Sequence, residues 1–274
     1  MTRRIRALSA GTFASMRERN FRLFFMGQGV SQVGNWMTLV AQTLLVLHLT
    51  DSGVALGVLA AAQLGPVQML GPWAGLVADR SDKKKLLLAV QSVSMLQSFA
   101  LAALAFTGSP PVWAVYALAS VGGVTIAFDN PARRAFVVEM VDTAGVPNAV
   151  GLNTTMMTAS RIVGPALAGL LVATAGFGWA FLVDGVSYVA VLVSLVMIRR
   201  AELRPVPQTP RGRGQVREGL RYVRSQPELF VPLVMMAVIG TLAFNFSTLL
   251  PLLATRSLGG DDGTYTMLFS VLSV

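Results

Sequence analysis

The sequence predicts an all-α membrane protein, with six transmembrane helices in one bundle and the start of a second bundle after them. Three observations predict it. Of the 274 residues, 54% are hydrophobic and only 13% are charged, about half the charged share of a soluble domain. Apolar runs close to the ~20 residues needed to cross a bilayer core recur along the whole chain. The basic residues gather in every second connection between those runs.

The elements follow in order. Residues 1–22 form a basic, polar leader with no apolar core and no small-residue cleavage site, so it does not read as a signal peptide. Eight apolar segments come next: Leu23–Leu49, Val54–Ala78, Leu86–Thr107, Val112–Phe128, Ala149–Ala175, Ala180–Ile198, Leu229–Ala254, and a last one from Thr264 onward. The connectors at 50–53, 108–111 and 176–179 are short and rich in turn formers. The first six segments fill 23–198, the predicted bundle. Residues 199–228 are the one long connection, Pro- and Arg-rich at first (RPVPQTPRGRG). It then reads VREGLRYVRSQPEL, where Val216, Leu220 and Val223 share one face of a short amphipathic helix. Residues 229–274 form an incomplete second bundle, whose last segment is too short to span, so the chain is expected to stop within its eighth helix. The stretch DSGVALGVLAAA (51–62) is echoed by DDGTYTMLFSVLS (261–273), as parallel halves of a transporter would be.

Twenty of the 22 basic residues fall in the leader and in the second–third, fourth–fifth and sixth–seventh connections. That asymmetry puts the N-terminus in the cytoplasm of a multi-pass protein of the cytoplasmic membrane. The net charge of +9 is therefore topological and available to anionic lipid; nucleic acid is not an expected partner. With no cysteine and a single His48, disulfides, thiolate chemistry and a multi-histidine metal site are excluded. No nucleophile elbow, phosphate loop or carboxylate cluster is present, so neither an enzyme nor a cofactor is expected.

The stretch GLVADRSDKKK (75–85) sets Asp79 at the edge of an apolar segment. Gly75 would let a neighbouring helix approach closely. One turn on, Asp79 is placed to meet the N-terminal end of another helix or a basic side chain; the bland alternative is a set of solvated loop charges. The same stretch resembles the signature G-x-x-x-D-R-x-G-[RK]-[RK] of the major facilitator superfamily. It matches at Gly75, Asp79, Arg80, Lys83 and Lys84, with Asp82 where Gly is usual. The resemblance implies twelve helices, of which about seven to eight are present. It also implies that Asp79 latches two bundles together on the cytoplasmic side, with Asp129 and Arg133 or Arg134 as candidate partners.

GLNTTMMTASRIVGPALAG (151–169) resembles the superfamily's antiporter signature at Gly151, Gly164, Pro165 and Gly169, with Ser160 and Ala168 in place of Gly. That pattern is associated with exporters, although small-residue packing faces are common in membrane helices. RNFRLFFMGQGVSQVGNWM, DNPARRAFVVEMV and VPNAVGLNTT are similar to the exporter branch that includes the enterobactin exporter and macrolide efflux proteins. Arg161 is the only basic residue deep in an apolar segment, a placement that costs about 2.5–3.5 kcal/mol on insertion scales. It is a candidate anchor for an anionic group, a counter-charge for a proton-bearing carboxylate, or a helix–helix contact. Asp184, the one acid inside a span away from the cytoplasmic edge, is the candidate for proton coupling and a possible partner of Arg161.

In the first helix Gln28, Ser31, Gln32, Asn35, Thr38 and Gln42 draw a polar stripe, expected to line a cavity. The resemblance implies that the first, fourth and seventh helices share that cavity, adding Tyr116, Ser120, Thr241, Asn245 and Thr248. The expected activity is export of small amphipathic molecules of drug, macrolide or siderophore type, coupled to protons and working by alternating access. The expected partners are the bilayer, a small-molecule substrate and protons. Uptake by symport, or a truncated remnant that does not transport, are the alternatives.

Overall fold

In a computed structural model, the structure describes residues 13–204, 215–242 and 246–272. Six helices are long and apolar enough to cross a membrane. They are α1 (Arg19–Thr50), α2 (Gly53–Arg80), α3 (Lys83–Phe106), α4 (Val112–Glu139), α5 (Val146–Ala175) and α6 (Phe177–Met197). Beyond them lie α7 (Gln215–Ser225), α8 (Pro227–Leu242), α9 (Phe246–Leu252) and α10 (Asp262–Leu272). The connections inside the bundle run from one to six residues, so successive helices alternate in direction. The ends carrying Arg19, Arg80, Lys83, Arg134 and Arg199 therefore meet at one face of the bundle, the basic end.

α1 is the axis of the bundle. Its most apolar window is 72% buried, against 11% for α2, because α1 packs on both α5 and α6 while α2 is held chiefly by α4. Gly34 lets α1 meet α6: a Cβ there would lie 2.7 Å from Ser187 Oγ. Gly164 does the same for α5, where a Cβ would lie 2.8 Å from the Val33 carbonyl of α1. Two apolar cores result. One, at the basic end, is built around Phe21, Phe24, Leu87, Phe136 and Leu195. The other, toward the far end, is built around Leu44, Leu56, Leu101, Val115 and Phe181. A belt of buried polar side chains lies between them, among them Gln28, Gln91, Ser98, Asp129, Arg133 and Asp184.

The basic end is tied rather than loose. Asp82 caps α3 by accepting from the Lys85 N–H at 3.0 Å, with φ at −64°, so the position needs no glycine and the turn is only two residues long. Lys83 pairs with Glu139 at 3.0 Å, both side chains buried. Lys84 Nζ donates to the carbonyls of Ile198 (2.7 Å) and Val196 (3.3 Å), which gives the end of α6 the cation its unpaired carbonyls favour. Asn20 closes a reciprocal pair with the backbone of Arg199 at 3.0 and 3.1 Å.

Three expectations are corrected. α4 runs to Glu139, eleven residues past the predicted end at Phe128, so Arg133 and Arg134 lie on that helix and not in the fourth–fifth connection. α1 starts at Arg19, four residues before the predicted start at Leu23, because Asn20 and Phe21 are buried while Arg19 and Arg22 stay on its outer side. Gly75 brings no helix close among the described residues: none of them lies within 4 Å of where its Cβ would stand, since it sits on the open side of α2.

Candidate functional site

The polar belt is organised around Asp184 and the Asp129–Arg133 pair and opens into two cavities. Asp184, on α6, is fully buried. Its Oδ2 accepts from Thr38 Oγ1 of α1 and from Ser98 Oγ of α3, each at 2.7 Å. Its Oδ1 takes no hydrogen bond among the described residues and lies where Gly34 lacks a side chain. Three helices thus converge on one carboxyl group. One turn along α6 stands the buried Tyr188.

Toward the basic end, Asp129 and Arg133 of α4 form a buried ion pair at i,i+4 spacing. Gln91 Nε2 donates to Asp129 Oδ1 at 2.7 Å. The Gln28 amide faces Arg133, and its oxygen lies 3.0 Å from Nη1 in the orientation that satisfies both groups. A buried charge pair holds only with such added hydrogen bonds, and here α1 and α3 supply them. Asp129 and Arg133 therefore serve each other rather than Asp79, because both side chains turn into the bundle. Asp79 is exposed, with no ion pair among the described residues.

One cavity, of about 250 Å³, lies between α1, α2 and α4. Asn35, Thr38 and Gln42 line it with Gln63, Gln97 and Asn130, and Gln63 donates to Gln42 at 2.6 Å. Thr38 joins this cavity to Asp184. The second, of about 670 Å³, lies in the basic half between α1, α4 and α5. Arg134, Arg161, Trp36 and Asn153 line it with the apolar Val137 and Met157. Arg161 Cζ stands 5.8 Å from the centre of the Trp36 ring, a cation–π distance. Gly164 permits this by letting Trp36 Cβ come against α5.

The predicted stripe on α1 is therefore divided. Asn35, Thr38 and Gln42 face the smaller cavity, whereas Gln28 is spent on Arg133, and Gln32 accepts from Asn35 at 3.5 Å. Tyr116 donates to the Ala55 carbonyl at 3.1 Å and lines neither cavity, because it ties α4 to α2. Arg161 and Asp184 do not meet: Asp184 points to α1 and α3, and Arg161 into the larger cleft. Pro165 and Gly169 follow Gly164 along α5, and a Cβ on Gly169 would lie 2.9 Å from Thr266 Cβ of α10. Thr241, Asn245 and Thr248 lie outside the residues whose side chains are described. Sequence reasoning missed the stripe Gln91, Ser94, Gln97 and Ser98 on α3, although its three- and four-residue spacing is the signal used for α1.

The family described as Transmembrane secretion effector matches residues 10–274. The chain belongs to that family, a branch of the major facilitator superfamily. Members and relatives are multi-pass membrane transporters rather than enzymes, and the curated relatives include efflux proteins. The staphyloferrin A transporter of Staphylococcus aureus is 24% identical over 258 residues, 92% of this chain and 64% of its own. Macrolide efflux protein A of Streptococcus pyogenes is 24% identical over 245 residues, 88% of this chain and 60% of its own. The enterobactin exporter of Salmonella paratyphi A is 23% identical over 192 residues, 70% and 45%. The fold is shared with a bacterial homologue of the human lysosomal transporter Spinster, solved inward-facing and unoccupied. The TM-score is 0.71 at 12% identity, covering 94% of this chain and 59% of that one. The chain thus spans less than two thirds of the length of these relatives.

Proposed function

We propose that this chain supplies the first bundle of a secondary active exporter of small amphipathic molecules, of drug, macrolide or siderophore type. A second bundle, begun by α8 to α10, completes the path. The N-terminus and the basic end lie in the cytoplasm, in keeping with the positive-inside rule. Cargo enters the cleft between α1, α4 and α5, a concave, largely apolar space with a few convergent polar groups. The observation that carries this reading is Arg161 in that cleft, held over Trp36 in a family of secretion transporters. Asp184 carries the exchanged proton: one carboxyl oxygen is held by two hydroxyls and the other is left unbonded. Thr38 relates that carboxyl to the smaller cavity. Asp79, exposed on α2, latches the cytoplasmic side when the exporter faces outward.

The test uses inverted membrane vesicles from cells expressing the intact gene, acidified inside and followed with a pH-quenched dye. Addition of a transported drug, macrolide or siderophore is expected to release lumenal protons, and Asp184→Asn is expected to abolish the release while leaving protein in the membrane. Silence across the whole panel would sink the proposal.

A further inference from the structure

We propose that the cleft between α1, α4 and α5 selects its occupant by negative charge. In this reading Arg161 takes the carboxylate of an amphipathic anion whose apolar body lies along Val137 and Met157, and Arg134 adds positive charge to the same cleft. Calling that anion the exported cargo rests on the exporter reading above; the binding itself does not.

The buried cations of the bundle each have a partner. Lys83 faces Glu139, Lys84 faces two carbonyls, and Arg133 faces Asp129. Arg134 and Arg161 differ. Both point into one cleft, and among the described residues neither meets a carboxylate. Arg161 rests on the Trp36 face, and its Nε is buried with no hydrogen-bond partner among the described residues. A buried donor left unbonded is costly, and two cations lining one cleft repel. An anion in the cleft relieves both penalties, and the planar guanidinium fork of Arg161 suits a carboxylate in particular. At about 670 Å³ the space falls within the range typical of small-molecule sites. Trp36 and the apolar wall then take the rest of the ligand.

The experiment uses the full chain in phosphatidylcholine nanodiscs. Trp73, Trp113 and Trp179 are changed to Phe, which leaves Trp36 as the one tryptophan of the original four. Three probes share one aromatic body: pyrenebutyrate, pyrenebutanol and pyrenebutyl-trimethylammonium. Energy transfer from Trp36 should saturate with pyrenebutyrate alone. Its affinity should fall about tenfold or more in Arg161→Gln, the scale of a lost charge-assisted hydrogen bond. It should fall several-fold in Arg134→Gln and be partly kept in Arg161→Lys. Thermal unfolding checks each variant, and the exposed Arg134 together with the probe series decides the matter even if Arg161→Gln fails to fold.

Equal saturable binding of the cationic or neutral probe, or an unchanged affinity in both arginine variants, would overturn the proposal. So would displacement of pyrenebutyrate by added phosphatidylglycerol, since the site would then belong to a lipid headgroup. Arginine-dependent binding without proton movement in vesicles leaves the anion site standing and removes the exporter reading. Export of cations with no anion bound does the reverse.

Discussion

Asp184 is kept in an apolar interior by two hydroxyl groups reaching it from different helices. Replacing it by Ala would strand the Thr38 and Ser98 hydroxyls, each at about 1–3 kcal/mol, whereas Asn keeps an oxygen for them to meet. Thermal melts in detergent should therefore place Asp184→Ala well below wild type and Asp184→Asn close to it. Arg133 has the opposite character, because its loss leaves Asp129 charged and buried. Arg133→Leu is expected to cost about 3–5 kcal/mol, read from the same melts. At this scale the sequence revealed isolation but not company. That Asp184 stood alone among apolar residues was plain, but Thr38 is 146 residues away and Ser98 86, and no local spacing links them. The Asp129–Arg133 pair was within reach, since the two residues stand four apart on one helix.

Between elements, glycines that look alike in the motifs have unlike surroundings. Gly164 stands where α1 crosses α5, so a methyl group there must displace backbone. Gly164→Ala should cost about 1–3 kcal/mol as overpacking. Gly75→Ala meets open space and should stay within about 0.5 kcal/mol of wild type, which parallel unfolding curves would show. The helices themselves were legible because apolar runs report their own length. Helix ends were less so: Asn20 and Lys84 belong to helices that begin in charged sequence, and partners at the end of α6 justify their burial. Asp82 departs from the usual signature glycine, and it acts as a cap at a backbone angle any residue adopts. Asp261 plays a similar part before α10, where the Thr264 N–H holds its carboxyl below the usual carboxylate range.

Taken whole, the bundle is two apolar cores joined through a polar belt. Hydropathy averages over that division, so the sequence predicted the six-helix pattern and not the belt. The exposed Asp79 matters only at this scale. Asp79→Asn should leave the melting of the bundle unchanged. In the intact transporter, with any cysteine outside these 274 residues replaced, it should raise maleimide labelling of a Thr154→Cys probe from the cytoplasmic side; these residues hold no competing cysteine. Unchanged labelling would rule out the latch. The central place of α1 also has a consequence in time. The helix made first is walled by the last two helices of the six-helix bundle, and Thr38 on its polar stripe has no partner until Asp184 of α6 has left the ribosome. At about 5–20 residues per second, the 146 residues between Thr38 and Asp184 take roughly 7–30 s to synthesise. Nascent chains released at residue 175 should be degraded and those released at 204 should resist protease. Throughout that interval the insertion machinery, rather than the protein's own fold, must shelter the first helix from lipid.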